Sequence, residues 1–356
     1  MQVFFEDIKK LYTSLNDEKS KKNFIYRVLA GIEENYEHIA QMIKDNCRQT
    51  DAYTIGDWYT DKDRDKKKII IYGAGWAGYW RVDANNYLGV DFYAFCDSDE
   101  KKIGTEFLGK RIISPKELIE EHKDAYVLIE TYSNNEEIYN FLMSNGFPKE
   151  QIMEHSDYGI QYFNYDQMKF GEHEVMVDGG CYDCGTIKDF IKKVNGKYDK
   201  IIAFEPDQNN YNNCMRIVEE EGLRNVKIVN AGMSDKNEEL LFSGDVGVFS
   251  RFLTEGEETN EHCKKVSTRT IDDVCKDENV TFIKMDLEGW EYQALNGAKE
   301  TIQRCKPKLA ISIYHKWEDV IDCYSYIMQL VPEYKFAIRH CSEYMWETVL
   351  YAWMED

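Results

Sequence analysis

Two carboxylates and an imidazole follow apolar stretches late in the sequence. Asp286 and Glu288 come after the run Phe282–Met285, and His315 comes after the run Leu309–Ile313. If these runs are neighbouring parallel strands, the three side chains meet at the sheet edge where open α/β folds bind ligands. One hypothesis is that His315 takes the proton of an acceptor hydroxyl while Asp286 orients the ring.

Two other interpretations of the same residues stay open. Asp286, Glu288 and His315 could hold a divalent cation that lowers the pKa of the acceptor, because two carboxylates and one imidazole suit a hard or borderline ion. Alternatively, Glu288 caps the following helix and His315 is a core histidine with its hydrogen bonds satisfied, since titratable residues also serve structure.

Glycines and an acid follow an earlier apolar run. Val175–Val177 precedes residues 178–185, which read DGGCYDCG. We expect Asp178, Gly180, Cys181 and Gly185 to shape a ligand-binding loop, because glycine lets the backbone approach a ligand closely. An acid placed before the glycines distinguishes this loop from a dinucleotide turn.

A carboxylate also ends the next strand along the chain. The run Ile201–Phe204 is followed by Glu205 and Pro206. In this position a carboxylate can accept hydrogen bonds from both hydroxyls of a ribose. The glycine loop and Glu205, on consecutive strand ends, together predict a site for a nucleoside-like ligand.

Cys181 and Cys184 form a C-x-x-C sequence, which could indicate redox chemistry or a zinc site. A second cysteine pair is missing, and the neighbouring glycines already explain the turn. We therefore interpret both cysteines as residues that fill the loop.

Apolar runs predict the elements that position these residues. The predicted strands of the last 200 residues are 175–177, 201–204, 226–229, 282–285, 309–313, 334–338 and 348–353. The first five alternate with helical segments, and a short connection joins the last two. This order predicts an α/β fold with a mostly parallel sheet that ends in an antiparallel hairpin. The segment Ser243–Asn260, which lies between the third and fourth predicted strands, is predicted to be a covering loop, with Phe249 and Ser250 as candidates for ligand contact.

Six motifs of this region resemble the FkbM family of methyltransferases. They are VDGGCYDCG from Val177, AFEP from Ala203, NAGMSD from Asn230, RTIDDV from Arg269, IKMDLEGWEYQALNGA from Ile283 and LAISIYH from Leu309. The resemblance implies a class I methyltransferase with a Rossmann-like sheet and S-adenosylmethionine as the methyl donor. It also implies an oxygen acceptor on a sugar, glycan or secondary metabolite, and relatives with a similar amino-terminal arrangement are encoded with surface-polysaccharide genes.

The resemblance also suggests roles for individual residues. Residues Asn230, Ala231, Ser234 and Asp235 should lie near the adenine, and Glu205 should hold the ribose. Asp286 should border both the donor and the reacting atoms.

A second glycine-rich turn lies earlier in the chain. Gly73, Gly75 and Gly78 follow the apolar run Ile69–Tyr72, and Asp97 follows a second short strand. The pattern is typical of a nucleotide-binding turn. It resembles the small sugar-nucleotide-binding domain of bacterial sugar-modifying enzymes, but the unit is too short for a full dinucleotide fold, so a purely structural domain is an open alternative.

The amino-terminal residues show helical apolar spacing and offer no catalytic residue. We expect three parts: a helical segment (1–65), a small Rossmann-like domain (66–155) and a methyltransferase domain (156–356). The helical segment is the expected surface for a homo-oligomer.

Composition limits the partners. The formal charge of −21 over 356 residues argues against a nucleic-acid groove, which needs clustered Lys and Arg. No apolar stretch approaches membrane-spanning length, no signal peptide is evident, and ten scattered cysteines suit reduced thiols, so we expect a cytoplasmic protein with a small-molecule or glycan acceptor.

Two functions other than methyl transfer remain. The glycine-rich second part could belong to a sugar-nucleotide-binding oxidoreductase, although its truncated fold argues against hydride transfer. The chain could also be a binding protein with a decayed methyltransferase domain, although the intact motifs argue against decay.

Overall fold

The computed structural model describes residues 2–46, 53–131, 133–153, 161–163, 165–243, 251–253 and 263–355. The chain forms two compact units. The larger unit comprises Met1–Gly31, Gly159–Cys341 and Trp346–Asp356, and the smaller unit comprises Ile32–Tyr158 and Ser342–Met345. The predicted division of the sequence into three consecutive parts, with boundaries after residues 65 and 155, stays a prediction.

The amino-terminal residues are helical, as their apolar spacing predicts. The helices are α1 (Gln2–Ser14), α2 (Glu18–Glu33), α3 (Glu37–Asn46) and α4 (Ile55–Thr60). The start of α2 is fixed by Asp17, whose carboxylate accepts a hydrogen bond from the backbone N–H of Ser20 at 2.8 Å. Leu11 of α1 and Phe24 of α2 are buried in the main core of the larger unit.

The smaller unit is built on one sheet. Its strands are β1 (Ile69–Tyr72), β2 (Ala94–Cys96), β3 (Glu106–Phe107), β4 (Lys110–Ile113), β5 (Tyr126–Ile129) and β6 (Ile152–Met153), in the order β3–β4–β2–β1–β5–β6. All neighbours pair in parallel except β3 and β4. Its other helices are α5 (Trp76–Asn86), α6 (Pro115–Glu121) and α7 (Asn135–Ser144). Every residue of β1 is buried, as expected for a central parallel strand.

A buried arginine holds a distant segment in the smaller unit. The guanidinium of Arg81, on α5, donates to the carboxylate of Glu130, to the hydroxyl of Tyr59 at 2.9 Å and to the carbonyl oxygen of Glu343 at 2.9 Å. The Glu343 carboxylate lies 3.6 Å from the same guanidinium. The segment Ser342–Met345 is thus attached to this unit by an ion pair and by a hydrogen bond to its backbone.

The strands of the larger unit follow in chain order. They are β7 (Val175–Gly179), β8 (Lys200–Phe204), β9 (Val226–Val229), β10 (Gly232–Met233), β11 (Glu239–Ser243), β12 (Arg251–Phe252), β13 (Cys263–Arg269), β14 (Phe282–Met285), β15 (Lys308–Ser312), β16 (Lys335–His340) and β17 (Thr348–Trp353). The helices are α8 (Gly185–Lys193), α9 (Gln208–Glu220), α10 (Ile271–Val274), α11 (Glu291–Asn296), α12 (Lys299–Cys305) and α13 (Asp319–Leu330).

The main sheet has the order β16–β17–β15–β14–β7–β8–β9. The strands β7, β8, β9, β14 and β15 run parallel, and β17 pairs antiparallel with both β15 and β16. The predicted mostly parallel sheet with a carboxyl-terminal antiparallel hairpin is confirmed. This arrangement brings the ends of β7, β8 and β14 to one edge.

A small second sheet in the order β10–β13–β11–β12 was not predicted. Most residues of β11 and β13 are exposed or half-buried, and β13, with the sequence CKKVSTR, lacks the apolar run that marks a strand in the main sheet. Ser243 of β11 and the whole of β12 lie within the predicted covering loop, so part of that loop is strand.

Among the helices that the structure describes, none combines the length and the apolar character needed to cross a bilayer.

Candidate active site

A cavity of about 370 Å³ lies at the carboxyl ends of β7, β8 and β14. Seven residues predicted to bind a ligand or to carry chemistry line it: Gly180, Cys181, Gly185, Glu205, Pro206, Asp286 and Glu288. The parallel strands bring these positions together because their carboxyl ends share one edge of the sheet. We call this space the donor cavity.

Asp178 is fully buried at the end of β7 and is not among the residues that line the donor cavity. Its carboxylate lies 3.2 Å from the ammonium group of Lys284 on β14. The ammonium group donates to the carbonyl oxygens of Gly179 at 2.8 Å and Gly180 at 2.9 Å. Asp178 therefore acts on the glycine loop through Lys284, whose charge it offsets.

Gly180 allows the loop to approach the end of β14. Its φ angle is +75°, and a Cβ atom there would lie 2.2 Å from the carbonyl oxygen of Asp286. A side chain at this position would meet both a steric and a backbone penalty.

Glu205 lies in the wall of the donor cavity with both carboxylate oxygens engaged. Oε2 accepts the backbone N–H of Tyr182 at 3.0 Å, and Oε1 accepts that of Asp207 at 2.9 Å. Burial raises the pKa of Glu205 to about 7, although these hydrogen bonds act in the opposite direction. Oε1 also accepts the side-chain amide of Asn210 at 3.5 Å, so a free lone pair remains on Oε2, with which the carboxylate can still accept a hydrogen bond from a vicinal diol.

The segment after β9 contributes other residues than the four predicted. Asn230, Ala231, Ser234 and Asp235 are not among the residues that line the donor cavity, whereas Gly232 and Met233, which lie between them, are. Ser234 instead accepts a hydrogen bond from the indole N–H of Trp290 at 3.2 Å.

Two aromatic residues of the second sheet complete this wall. Phe242 and Phe252 line the donor cavity, and their ring centroids lie 5.2 Å apart. Gly232 packs against Phe252 so closely that a Cβ atom would lie 2.3 Å from the ring. An apolar wall of this kind suits a flat heterocycle.

Asp286 follows β14 and is held by two tyrosines. Its Oδ2 accepts the hydroxyl of Tyr162 at 2.6 Å, and its Oδ1 accepts the hydroxyl of Tyr314 at 3.0 Å. Burial alone would raise the pKa of Asp286, but His315, Lys284 and the two hydroxyls lower it below its ordinary value. Asp286 is therefore an anion at neutral pH.

His315 lies among three carboxylates. Its Nδ1 is 2.8 Å from Glu291, and its Nε2 is 3.4 Å from Asp286 and 3.6 Å from Glu288. Burial alone would lower the pKa of His315, but Glu291, Asp286 and Glu288 raise it to about 10. The ring is therefore an imidazolium at neutral pH.

Glu288 lines the donor cavity and has a left-handed backbone, with φ of 52°. Such a conformation is uncommon for a residue with a side chain, and it is often found at functional sites. Burial raises the pKa of Glu288 to about 7, although His315 acts in the opposite direction. Near neutral pH this carboxyl group can therefore exchange a proton readily.

The carboxylates around His315 also offer a ligand set for a cation. One ligand atom each from Asp286, Glu291 and His315 lie within 4.8 Å of one another. The predicted set contained Glu288 in place of Glu291. Glu291 is fully buried and is anchored by the backbone N–H of Leu287 at 2.7 Å.

Sequence reasoning missed Lys284, Tyr162 and Glu291. Lys284 could have been found, because a lysine inside the apolar run Phe282–Met285 is costly unless it is paired. Tyr162 precedes the first strand of the sheet, and no local pattern indicates that it reaches Asp286.

In the smaller unit, polar groups at the glycine turn after β1 bond to residues of the unit itself. Asp97, which follows the second short strand of the predicted nucleotide-binding turn, accepts the backbone N–H of Ala74 at 3.0 Å and the ammonium group of Lys102 at 2.9 Å. Gly78 packs against Gly73, since a Cβ atom would lie 2.1 Å from the Gly73 carbonyl oxygen. Close packing therefore explains Gly73 and Gly78, whereas a Cβ atom at Gly75 would meet nothing within 4 Å.

Part of the predicted covering loop lies outside the described residues. Residues 244–250 and 254–260, including the candidates Phe249 and Ser250, belong to that part.

Two family models match parts of the chain. Residues 178–338 match the family model "Methyltransferase FkbM domain", and residues 65–153 match the model "C2185-like, N-terminal". No curated protein matches the chain.

Solved structures provide a comparison of folds. The methyltransferase FkbM from Methylobacillus flagellatus KT is 20% identical, with 81% of this chain and 90% of that chain covered and a TM-score of 0.53. An rRNA methylase from Streptococcus thermophilus is 14% identical, with 52% and 89% covered and a TM-score of 0.34. An SAH-bound methyltransferase from Podospora anserina is 9% identical, with 51% and 72% covered and a TM-score of 0.32.

The first of these structures shares the fold over most of both chains, and the family model spans β7 to β16, which contain the lining residues at the ends of β7, β8 and β14. Residues 178–338 of this chain therefore form a methyltransferase domain of the FkbM family.

Proposed function

We propose that the larger unit is an S-adenosylmethionine-dependent O-methyltransferase that acts on a hydroxyl of a sugar or glycan. The observation that carries this proposal is the lining of one cavity by Glu205, suited to a ribose, and by Asp286 and Glu288, suited to charge and proton chemistry. Methyl transfer to oxygen needs both functions in one space.

The residues present fit the donor. Glu205 would hold the ribose hydroxyls, Phe242 and Phe252 would contact the adenine, and the loop at Gly180 would approach the amino-acid end. Asp286 would lie near the positive sulfur, and because Lys284 is already paired with Asp178 it adds little repulsion. When bound, S-adenosylmethionine supplies an electrophilic methyl group that an oxygen atom can attack.

The proton of the acceptor hydroxyl needs a base, and we assign this role to Glu288. The hypothesis that His315 takes this proton meets an electrostatic difficulty, because three carboxylates keep the ring protonated. With a pKa of about 7, Glu288 can accept the proton near neutral pH. His315 then acts as a positioning cation between Asp286 and Glu288, at 3.4 and 3.6 Å.

The acceptor is proposed to be an uncharged hydroxyl compound. The donor cavity is lined by Asp183, Asp189, Glu205, Asp286 and Glu288, which would repel a phosphate or carboxylate close to the reacting oxygen. Tyr182, which also lines the cavity, is 43% exposed and could stack on a sugar ring.

The wider setting of this activity also stays a proposal. A sugar or glycan acceptor fits the biosynthesis of a surface polysaccharide or of a secondary metabolite, which would take place in the cytoplasm. Self-association through the amino-terminal helices and the lack of a nucleic-acid partner are further proposals, the latter based on the charge of −21.

Isothermal titration with S-adenosylmethionine and S-adenosylhomocysteine tests the donor site. We expect stoichiometric binding to the wild type and a loss of at least about tenfold in Glu205→Gln, because hydrogen bonds to a charged group are worth more than about 1.4 kcal/mol. Glu219→Gln, an exposed change on α9, is the matched control and should bind like the wild type. Absence of binding to the wild type would overturn the proposal.

A divalent cation is a second possibility for activating the acceptor, since Asp286, Glu291 and His315 can offer three ligand atoms. A chelator such as EDTA separates the two mechanisms. Turnover that is unchanged by EDTA supports Glu288 as the base, whereas turnover that is lost with EDTA and restored by Mg²⁺ or Mn²⁺ supports the cation.

The two non-methyltransferase functions can be tested in the same titrations. A sugar-nucleotide-binding oxidoreductase would bind a nicotinamide cofactor or UDP-glucose. A decayed domain would bind neither S-adenosylmethionine nor S-adenosylhomocysteine. The contacts of Asp97 with Ala74 and Lys102 favour a structural role for the smaller unit.

A further inference from the structure

Three buried cysteines lie together behind the glycine loop of the donor cavity. Cys181 and Cys184 belong to the loop, and Cys214 lies on α9. The sulfur atoms of Cys181 and Cys214 are 3.8 Å apart. The sulfur of Cys214 is also 3.2 Å from the carbonyl oxygen of Tyr182. The structure thus supplies the partner thiol that the C-x-x-C sequence alone did not show.

The pKa values of the three thiols are shifted in different directions. The S–H groups of Cys181 and Cys214 lower the pKa of Cys184 to about 4, and the same interactions raise the pKa of Cys181. Cys184 also occupies the position before the first residue of α8, where a helix end favours a thiolate. Cys184 is therefore the member of the cluster that carries the negative charge, and Cys181 and Cys214 keep their protons.

Cys181 is the member of the cluster that a small oxidant can reach. It lines the donor cavity, although only 2% of its surface is exposed. Cys214 lies behind it, fully buried. Because Cys181 is the only one of the three that lines the cavity, it is the thiol that we expect hydrogen peroxide in the cavity to meet first.

We propose that hydrogen peroxide converts Cys181 and Cys214 to a disulfide, and that this modification weakens binding of the methyl donor. The second half of this inference rests on the proposed function. The site is a redox-sensitive one placed directly in the wall of the donor cavity.

The reaction balances with peroxide as the only oxidant. The sulfur of Cys181 attacks one oxygen of peroxide, the O–O bond breaks, and the leaving oxygen takes the Cys181 proton to give water. The sulfur of Cys214 then attacks the sulfenic acid on Cys181, the S–O bond breaks, and the leaving oxygen takes the Cys214 proton as a second water. Both sulfurs are oxidised and the peroxide is reduced.

A disulfide must change the loop. The two sulfurs have to move from 3.8 Å to about 2.05 Å, the length of an S–S bond. Cys181 is followed by Tyr182, whose N–H holds Glu205 at 3.0 Å and whose carbonyl oxygen contacts Cys214. The movement therefore disturbs the carboxylate proposed to hold the ribose.

Mass spectrometry of the native protein tests the bond itself. After treatment with hydrogen peroxide and blocking of free thiols, chymotrypsin cleaves after Tyr182 and so separates Cys181 from Cys184. We expect a peptide with Cys181 linked to Cys214, which dithiothreitol removes. A Cys181–Cys184 link, or three thiols still free, would overturn the proposal.

Titration with S-adenosylhomocysteine tests the effect on the cavity. We expect oxidised wild type to bind about tenfold more weakly than reduced wild type, as for loss of one hydrogen bond to a charged group, and dithiothreitol to restore binding. Equal affinity of both forms, with the bond present, would contradict the proposal.

Matched serine variants complete the test. Peroxide should leave the affinity of Cys181→Ser at that variant's own starting value, because the first oxidation needs the Cys181 sulfur, whereas Cys323→Ser, at a buried cysteine of α13, should respond like the wild type. Failure of the reduced wild type to bind donor would count against the proposed function only, since the peptide map decides on the disulfide separately.

Discussion

Glu288 and His315 lie 3.6 Å apart but differ in what they can do at neutral pH. His315, with a pKa of about 10, keeps its proton, while Glu288, with a pKa of about 7, gains and loses one. The assignment of the base to Glu288 rests on this difference. Because the two pKa values differ, the pH dependence of turnover can show which of the two residues is the base.

The pH dependence of turnover should identify the base. We expect kcat/KM, measured by release of S-adenosylhomocysteine with an acceptor found in a panel of free and nucleotide-linked sugars, to rise with pH and to reach half its maximum near pH 7. The rise follows deprotonation of Glu288, whose pKa is about 7. A half-maximum near pH 10 would instead identify His315, whose pKa is about 10.

Substitution of Glu288 provides the control for this profile. Glu288→Gln should lose turnover by at least about a hundredfold, the usual contribution of a general base, and Glu288→Asp should recover part of it. Both variants should keep donor binding in isothermal titration. Loss of binding in both would show that Glu288 is needed for the donor rather than for the proton.

The sequence could indicate single residues only where a strand end marks them. Glu205 and Asp286 were predicted because each directly follows an apolar run, and Glu288 because it lies two residues after Asp286; all three line the donor cavity. The partners that set their charge were not predictable, because Tyr162 and Glu291 reach the site through the fold. The protonation state of His315 depends on those partners and so could not be inferred from spacing.

At the scale of elements, close packing of the glycine loop on β14 depends on Gly180. Gly180→Ala should destabilise the protein by about 1 to 2 kcal/mol for the left-handed backbone, with about 1 to 3 kcal/mol more for overpacking against the carbonyl oxygen of Asp286. Urea unfolding followed by tryptophan fluorescence measures this loss.

Gly196 provides a matched position for that experiment. Its φ angle is +73°, close to the +75° of Gly180, but nothing lies within 4 Å of an added Cβ atom. Gly196→Ala should therefore show the backbone cost alone. Equal losses in the two variants would show that the close approach at Gly180 costs nothing.

The main sheet was predictable from sequence and the second sheet was not, for a physical reason. Strands such as β7 and β14 are buried along their whole length, so they appear as apolar runs. The strand β13 is paired on both sides, yet only one of its seven residues is buried. Its hydrogen bonds to β11 hold it in place, and backbone pairing leaves no apolar signature in the sequence.

For the whole molecule, several buried acids favour stability at low pH. The pKa values of Glu205, Glu288 and Asp319 are each raised by burial to about 7. A raised carboxyl pKa stabilises the folded state below the unfolded pKa, and this stabilisation is lost as the pH rises through 7. His315, with a pKa of about 10, acts with the same sign between its unfolded pKa and pH 10.

The protein without ligand should therefore unfold at a lower temperature at pH 8.5 than at pH 5.5. Differential scanning calorimetry at constant ionic strength measures this difference. General repulsion from the formal charge of −21 acts in the same direction, but added salt screens it. Glu205→Gln should reduce the dependence that remains at high salt, and an unchanged dependence in that variant would contradict this account.

The division of the chain between the two units has a consequence for synthesis on the ribosome. The chain passes from one unit to the other after Gly31, Tyr158, Cys341 and Met345, so neither unit is a continuous stretch of sequence. Arg81 is made 262 residues before its partner Glu343. Similarly, Ser20 is made 318 residues before Ile338, whose backbone N–H its hydroxyl accepts at 3.0 Å. The smaller unit cannot be completed in the nascent chain until Met345 has left the exit tunnel, nor the larger unit until Trp353 of β17 has, so a chain cut before Ser342 would leave both units unfinished.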